Sequence, residues 1–455
     1  MLPTLLSALP RLTLAAAVSL VIAACSAHSA RQATPAPASQ PQNSGADSAR
    51  QRVADSIEMA QASRFFRDLQ AGSAPMLKAG NYLGVLQLID TLVAAAGPSE
   101  GVRQASGQMI GTYESFLGEY QAALDAFMVG PPRRAPFDTA SFAGYVPEDA
   151  ADAIVKLAAG RQVVFINEAH HVPSHRAFTL ALLPRLRALG FNYLAAEALF
   201  ESESTLNARK YPVQATGFYT NEPTFGEMLR TALRLGFTLV PYDTGAPTQD
   251  ARETGEARNL VERILAKDPQ ARVIVHAGYA HIEESGLLIG AKPMAVRFRE
   301  MTGIDPLTID QTSMSQSGDS VHDDPRYRYI VARDAPRAPI VLRKGDSTWS
   351  AKPRALDVSV IHPRAVYREG RPDWLWAMEG RRAYALPDNV CAPSRECVVA
   401  ARIPTESADA VPIDKLVVRG AAAPRTLALP PGEYVLTARD GAGTLLSERR
   451  VTIGR

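Results

Sequence analysis

The stretch Val163–Leu199, VVFINEAHHVPSHRAFTLALLPRLRALGFNYLAAEAL, decides the fold. It opens on Val163-Val164-Phe165-Ile166, an apolar run too short for a helix and rich in β-branched side chains, which predicts a buried strand. Phe178, Leu180, Leu182, Leu183, Leu186 and Leu189 then recur at helical spacing, and Gly190 supplies the stop. Tyr193–Ala196 reads as a second strand, closed by Glu197. Strand, helix and strand in this order make the β-α-β unit from which parallel sheets are built. Two further runs repeat the theme. Phe237–Pro241 leads into Tyr242-Asp243, and Arg272–His276 leads into Ala277-Gly278-Tyr279-Ala280-His281. Pro306–Asp310 gives a fifth strand. The expected fold class is α/β: a central, mostly parallel sheet with flanking helices, preceded by a helical region and followed by β-rich C-terminal modules.

Titratable side chains gather where these strands run out. The first ends in Asn167-Glu168-Ala169-His170-His171, the second on Glu197, the third on Asp243 and the fourth on His276 and His281. A single His or Asp after a strand is ordinarily a cap or a turn residue. Four strand ends in succession point to a site, because open α/β sheets bind ligands at the carboxyl ends of their strands. Imidazoles and carboxylates converging from several strands suit a divalent metal or a general acid/base set. His171 and His175 either face that site or turn away from it. The aromatic segment Tyr211–Thr220 is either a pocket wall or a packed surface loop.

The pair NEAH and GYAH, starting 111 positions apart at Asn167 and Gly278 with Glu197 between them, resembles the superfamily of the erythromycin esterases, the ChaN-like haem-binding uptake proteins and the Tiki/TraB proteases. The resemblance spans about Asp149 to Thr312. It implies catalytic roles for Glu168, His170, Glu197 and His281, with His170, Glu197 and His281 as ligands of a divalent metal. Gly278, Asp243 and Arg252 would bind a cofactor, Arg252 leading the charged helix that runs to Asn259. The ChaN-like branch implies haem instead. Asn167 stands where the family has glycine.

Upstream, Arg11 precedes an apolar run from Leu12 to Ala24, and Ile22-Ala23-Ala24-Cys25 resembles a bacterial lipobox. Residues 1–24 then form a leader, too short to span a bilayer comfortably, and Cys25 becomes the lipidated terminus. Ser26, rather than Asp, follows the pattern sent to the outer membrane, so the expected location is the cell envelope, facing the periplasm or the surface. Loss of Arg11 lowers the net charge from +2 to +1, which gives no reason to expect nucleic acid. Residues 25–54, rich in Ala, Ser, Pro and Gln, read as a flexible tether. Residues 55–130 read as helical. Gly80-Asn81-Tyr82 echoes Gly118-Glu119-Tyr120 at a spacing of 38, close to a tetratricopeptide period. Two units fall short of a solenoid, so a helical cap on the α/β domain is the alternative to a partner-binding repeat. Gly130–Arg134 reads as a linker.

The α/β domain is expected over 147–312, a β-rich segment over 325–404 and a small β-sandwich-like module over 405–455. Short β-type runs are read at Tyr327–Val331, Pro339–Leu342, Leu356–Ile361, Lys415–Arg419, Thr426–Leu429, Glu433–Arg439 and Leu445–Ile453. With Cys25 lipidated, only Cys391 and Cys397 remain, and an oxidising compartment predicts their disulfide. Trp374 and Trp376 read as core or interdomain anchors, with an aromatic binding platform as the alternative. The functional expectation is an envelope lipoprotein hydrolysing an ester or amide of a small molecule or peptide, by a metal or by a His/Glu acid/base set. The alternative is a haem-binding uptake lipoprotein without catalysis.

Overall fold

The computed structural model describes residues 45–97, 99–127, 136–378, 380–394, 396–420 and 425–454. The leader, Cys25 and the Gly130–Arg134 linker lie outside the described residues. Four helices come first: α1 (Gly45–Lys78), α2 (Tyr82–Ala96), α3 (Glu100–Phe116) and α4 (Tyr120–Ala126). The tether expectation needs correction at its end, since α1 starts at Gly45; ADSARQRVADSIEMA is mostly made of good helix formers. The Gly-x-Tyr echo is structural. Gly80 and Gly118 both take left-handed φ, +67° and +80°, and the residues after them, Asn81 and Glu119, start α2 and α4 with nearly the same backbone angles.

Next come β1 (Val146–Asp149), α5 (Ala150–Ala158), β2 (Val163–Glu168), α6 (Pro173–Ala188), β3 (Tyr193–Ala196), the short α7 (Leu206–Arg209) and α8 (Pro223–Arg234). They are followed by β4 (Thr238–Pro241), α9 (Gln249–Leu260), β5 (Val273–Gly278), α10 (Met294–Thr302), β6 (Leu307–Asp310) and α11 (Pro325–Asp334). Then β7 (Ile340–Lys344) pairs with β1 and with β8 (Ser347–Thr348), and β9 (Val358–Ser359) returns to the large sheet. That sheet has six strands in the order β4-β3-β5-β2-β6-β9, all parallel. Helices cover both of its faces, so its strands are apolar on both sides. Val164, Ile166, Leu194 and Ile274 pack under α5, α6 and α8. Their neighbours Val163, Phe165, Ala195 and Val275 pack against α9 and α10.

The Tyr327–Val331 run is a helix, not a strand. Its Tyr327/Tyr329/Val331 alternation imitates a strand, but Asp324 caps the Arg326 amide at 2.8 Å and Pro325 holds the first helical position, both starting signals for a helix. The remaining elements are β10 (Tyr367–Arg368), β11 (Arg371–Pro372), α12 (Asp373–Ala377), β12 (Arg382–Ala385), β13 (Glu396–Arg402), β14 (Asp414–Arg419), β15 (Thr426–Leu429), β16 (Gly432–Arg439) and β17 (Leu445–Ile453). They include a four-stranded antiparallel sheet, β14-β13-β16-β17, and the pair β12-β15. The sheet therefore draws β13 from before position 405.

Cys391 and Cys397 are joined, with Cys397 in the core of this β module. Replacing both by serine removes a short closed loop. It is expected to cost about 2 kcal/mol by loop entropy, read as a lower denaturation midpoint under oxidising conditions and no difference after reduction. Among the described residues no helix is long and apolar enough to cross a membrane.

The three regions are packed together. Val417 of β14 enters the core of the helical region, and Phe218 and Tyr219 line its edge. Tyr120 meets Trp374 with ring centroids 4.9 Å apart, so Trp374 anchors the helices to the C-terminal part. Leu124 of α4 packs on Ala169, Val172 and Tyr279, which brings the helical region to the rim of the parallel sheet.

Candidate functional site

The carboxyl ends of β2, β3, β4 and β5 place the predicted residues at one edge of the sheet. Glu168 pairs in register with Gly278, and the amide of Glu197 continues the β3–β5 ladder by donating to the His276 carbonyl at 3.1 Å. The strand β5 runs two residues further than the sequence indicates. His276 consequently lies inside it, buried, with Nε2 3.6 Å from Oε2 of Glu168, and burial lowers its pKa.

Glu168 is the centre of a first group. Arg176, fully buried on α6, donates Nε to Oε2 at 2.6 Å and Nη2 to Oε1 at 2.8 Å, and reaches the His170 carbonyl at 2.8 Å. Behind it, Nη1 bonds Glu222 at 3.2 Å, and Glu222 caps α8 through the amides of Thr224 and Phe225. Burial alone would raise the Glu168 pKa, but Arg176, with His276 and His170, holds it well below the carboxylate range. The ionised carboxylate lies 3.0 Å from Nδ1 of His170. A carboxylate only accepts, so Nδ1 carries the proton, and in the neutral imidazole the lone pair sits on Nε2.

Nε2 of His170 points at Gly278 and Glu197. A Cβ on Gly278 would lie 2.6 Å from Nε2, 2.5 Å from Cε1 and 3.2 Å from Oε2 of Glu197. The ring cannot swing aside, because it stacks on Tyr219 at 3.9 Å and meets the edge of Tyr279 at 5.1 Å. Gly278→Ala is therefore expected to force the His170 ring and its Tyr219 stack apart, lowering any turnover that depends on His170 about 100-fold. The thermal midpoint should fall with it, since overpacking at a held ring costs about 1–3 kcal/mol.

A second group surrounds Arg252 on α9. Its Nη2 donates to Oε1 of Glu197 at 2.6 Å, its Nε to Asp243 at 3.0 Å, and Nε also lies 3.0 Å from Glu256. Glu197 takes a further hydrogen bond from the Gly278 amide at 2.5 Å. Burial opposes its charge, but His281, Arg252 and His170 bring its pKa down to about 2. On the far side, Nδ1 of His281 is 2.8 Å from Glu253 and 3.3 Å from Glu256. Burial again works against charge, yet Glu253, Glu256 and Glu197 hold the His281 pKa well above its ordinary value.

The open alternatives resolve as follows. Tyr219 makes the Tyr211–Thr220 segment a wall of the site, while Phe218 beside it packs on Tyr113 and Phe116 of the helical region. His171 turns away and stacks on Phe127 at 3.6 Å. His175 is fully buried and accepts the Ala169 amide on Nδ1 at 3.0 Å, so it props the loop that carries His170. Asn167, in the glycine position, ties three strand ends together: it donates to the Tyr279 carbonyl at 2.8 Å and to Asp310 at 3.1 Å, and accepts the Gln311 amide at 2.6 Å. Sequence reasoning missed Arg176, Glu222, Glu253 and Glu256, and held Tyr219 only within the open alternatives for the Tyr211–Thr220 segment.

The donors expected to hold a metal do not fit one while Arg252 stays in place. The gap between Glu197 and Nε2 of His281, which are 3.9 Å apart, is faced by the guanidinium, with Nη1 3.2 Å from that nitrogen. Two other groupings bring their donor atoms within 4.8 Å of one another: Glu197/Asp243/Glu256 and Glu253/Glu256/His281. The first is already occupied by Arg252, which contacts all three acids, and His170 belongs to neither.

The fold and site define an α/β protein with a buried carboxylate–imidazole–guanidinium cluster at the carboxyl edge of a parallel sheet. No family model and no curated protein matches the chain. Of solved structures, that of the type III effector HopBA1 is 15% identical, covering 39% of this chain and 94% of that one at a TM-score of 0.26. A structure described as bacterial protein toxins is 13% identical, covering 49% of this chain and 47% of that one at a TM-score of 0.28. Likeness at that level carries no argument about activity.

Proposed function

We propose that this edge hydrolyses an ester or amide of a small molecule or peptide, with His170 as general base. The observation that carries the reading is the Glu168–His170 pair, 3.0 Å apart and locked by Arg176, in an imidazole whose side chain is partly exposed. A water that reaches Nε2 loses its proton to it as the water oxygen attacks the carbonyl carbon. The imidazolium so formed lies between Glu168 and Glu197, both ionised, and each lowers its energy. Collapse of the tetrahedral intermediate returns the proton from Nε2 to the leaving oxygen or nitrogen. His170 is the histidine of the site with the more exposed side chain, at 15% against 10% for His281, as a base that meets substrate should be. The superfamily resemblance supports the same reading. Haem is less well supported, since a porphyrin needs apolar space over Nε2 and Gly278 and Glu197 lie there.

A panel of p-nitrophenyl esters, lactones and aminoacyl amides tests this. Turnover that survives chelator and depends on His170 supports it, and no turnover across the panel sinks it. The envelope location belongs to the same proposal. Cys25→Ser should release the chain from the membrane fraction, and continued membrane association would make the apolar run an anchor.

A further inference from the structure

We propose a buried divalent-cation site behind the reactive face, formed by Oε1 of Glu253, Oε2 of Glu256 and Nδ1 of His281. It is distinct from the His170/Glu197/His281 set that the sequence resemblance implies. The three donors lie within 4.8 Å of one another. One imidazole and two carboxylates make an N/O set suited to zinc or another transition ion of similar size.

Geometry singles this grouping out. Glu253 and Glu256 are fully buried on α9, one helical turn apart and on the same side. Neither oxygen of Glu256 makes a well-formed hydrogen bond, although Nε of Arg252 lies 3.0 Å from Oε1 and Nδ1 of His281 3.3 Å from Oε2. Buried polar atoms are ordinarily hydrogen-bonded, so these Glu256 oxygens, held by charge contacts alone beside Nδ1 of His281, mark a place for a cation. Arg252 approaches Glu256 at Oε1, leaving Oε2 free to face the ion. Four acidic side chains, Glu197, Asp243, Glu253 and Glu256, surround one guanidinium and one imidazole, and a cation bound in place of the acidic protons balances them.

The exchange balances when both protons are counted: the ion takes the Nδ1 lone pair and a Glu256 oxygen, and the protons held on Nδ1 and on the Glu256 carboxyl leave to solvent. The remaining ring hydrogen sits on Nε2 and turns to Glu197, now 3.9 Å away, the carboxylate–imidazole–metal arrangement that fixes a ligand ring. Arg252 then donates wholly to the carboxylates it already holds. The ion touches no substrate; it orients His281 and, through it, Glu197.

The inference is independent of the hydrolysis reading, and its test reads metal directly. The full chain is stripped with chelator and titrated with Zn²⁺, stoichiometry being followed by calorimetry and elemental analysis. One equivalent is expected, with a rise in thermal midpoint. Glu256→Gln should weaken binding at least 10-fold, and His170→Ala should leave it unchanged. Should Glu256→Gln fail to fold, Co²⁺ added to wild type and to His170→Ala gives the second reading, the same visible absorption in both being expected. No bound equivalent, binding unaffected by a folded Glu256→Gln, or binding lost in His170→Ala would each overturn the proposal.

Discussion

Replacement of His170 by alanine is expected to lower kcat/KM for any ester or amide the protein turns over by about 10²- to 10⁴-fold, the usual contribution of a positioned general base. The fold should survive. The His170 side chain is partly exposed, and Arg176 continues to hold Glu168 through two hydrogen bonds when the imidazole is gone. A stability loss on the order of 1 kcal/mol, that of an ordinary substitution, separates this variant from Arg176→Ala. Removing the guanidinium strands Glu168 and Glu222, both buried, at a cost of about 3–5 kcal/mol, so lost activity there would report unfolding rather than chemistry. Steady-state rates and thermal melts on the same preparations distinguish the two. Wild-type turnover in a folded His170→Ala protein would remove the base from the mechanism and leave the Glu168 pairing a structural feature only.

The strands of the sheet are legible in the sequence because both their faces are buried. Each is therefore a short apolar run, and Val163–Ile166, Tyr193–Ala196 and Leu307–Asp310 stand out without periodicity. The edge of the sheet is legible for a related reason: a buried strand that ends in Glu, Asp or His must present that group at the rim. What escapes is the supporting charge on the helices. Arg176 sits in a helix with Arg185 and Arg187 and reads like them as a solvated cation, yet it is fully buried. Glu253 and Glu256 look like surface charge on the polar helix α9. A signal was present: the apolar stripe of Ala257, Leu260 and Ile264, carried back by three and four residues, lands on Glu253 and Glu256 and puts both on the core face. Extending the stripe across charged residues rather than stopping at them would have found the pair. Tyr219 is legible only as part of an aromatic segment open to two readings, because its contact with His170 depends on how an irregular loop is folded against the helical region.

Between pH 6.5 and 4, His362→Gln is expected to gain stability relative to the parent protein by up to roughly 3 kcal/mol, as linkage to a depressed imidazole pKa requires. His362 is buried beneath the site loop, its ring centroid 4.9 Å from His175 and 5.7 Å from Phe178, and its Nε2 has no hydrogen-bond partner. Burial brings its pKa down to about 4, against a smaller upward pull from Asp310. The imidazole thus stays neutral in the fold while the unfolded chain takes a proton below 6.5. In that window the unfolded state binds more protons, so stability falls as pH falls, and above 6.5 the two states bind alike. His175 behaves in the same direction, pushed well below its ordinary value by burial and by His362. Glutamine has no proton to take, so the variant lacks this pH dependence. The comparison also cancels the opposite pH dependence of Glu256, whose pKa burial raises to about 8, because both proteins carry it. Denaturant midpoints for the two chains at pH 7.5, 6.0, 5.0 and 4.5 give the difference directly. Parallel curves would mean that His362 protonates in the folded state as readily as in the unfolded one, so that the polar space between His175 and His362 accepts a charge that its burial should exclude.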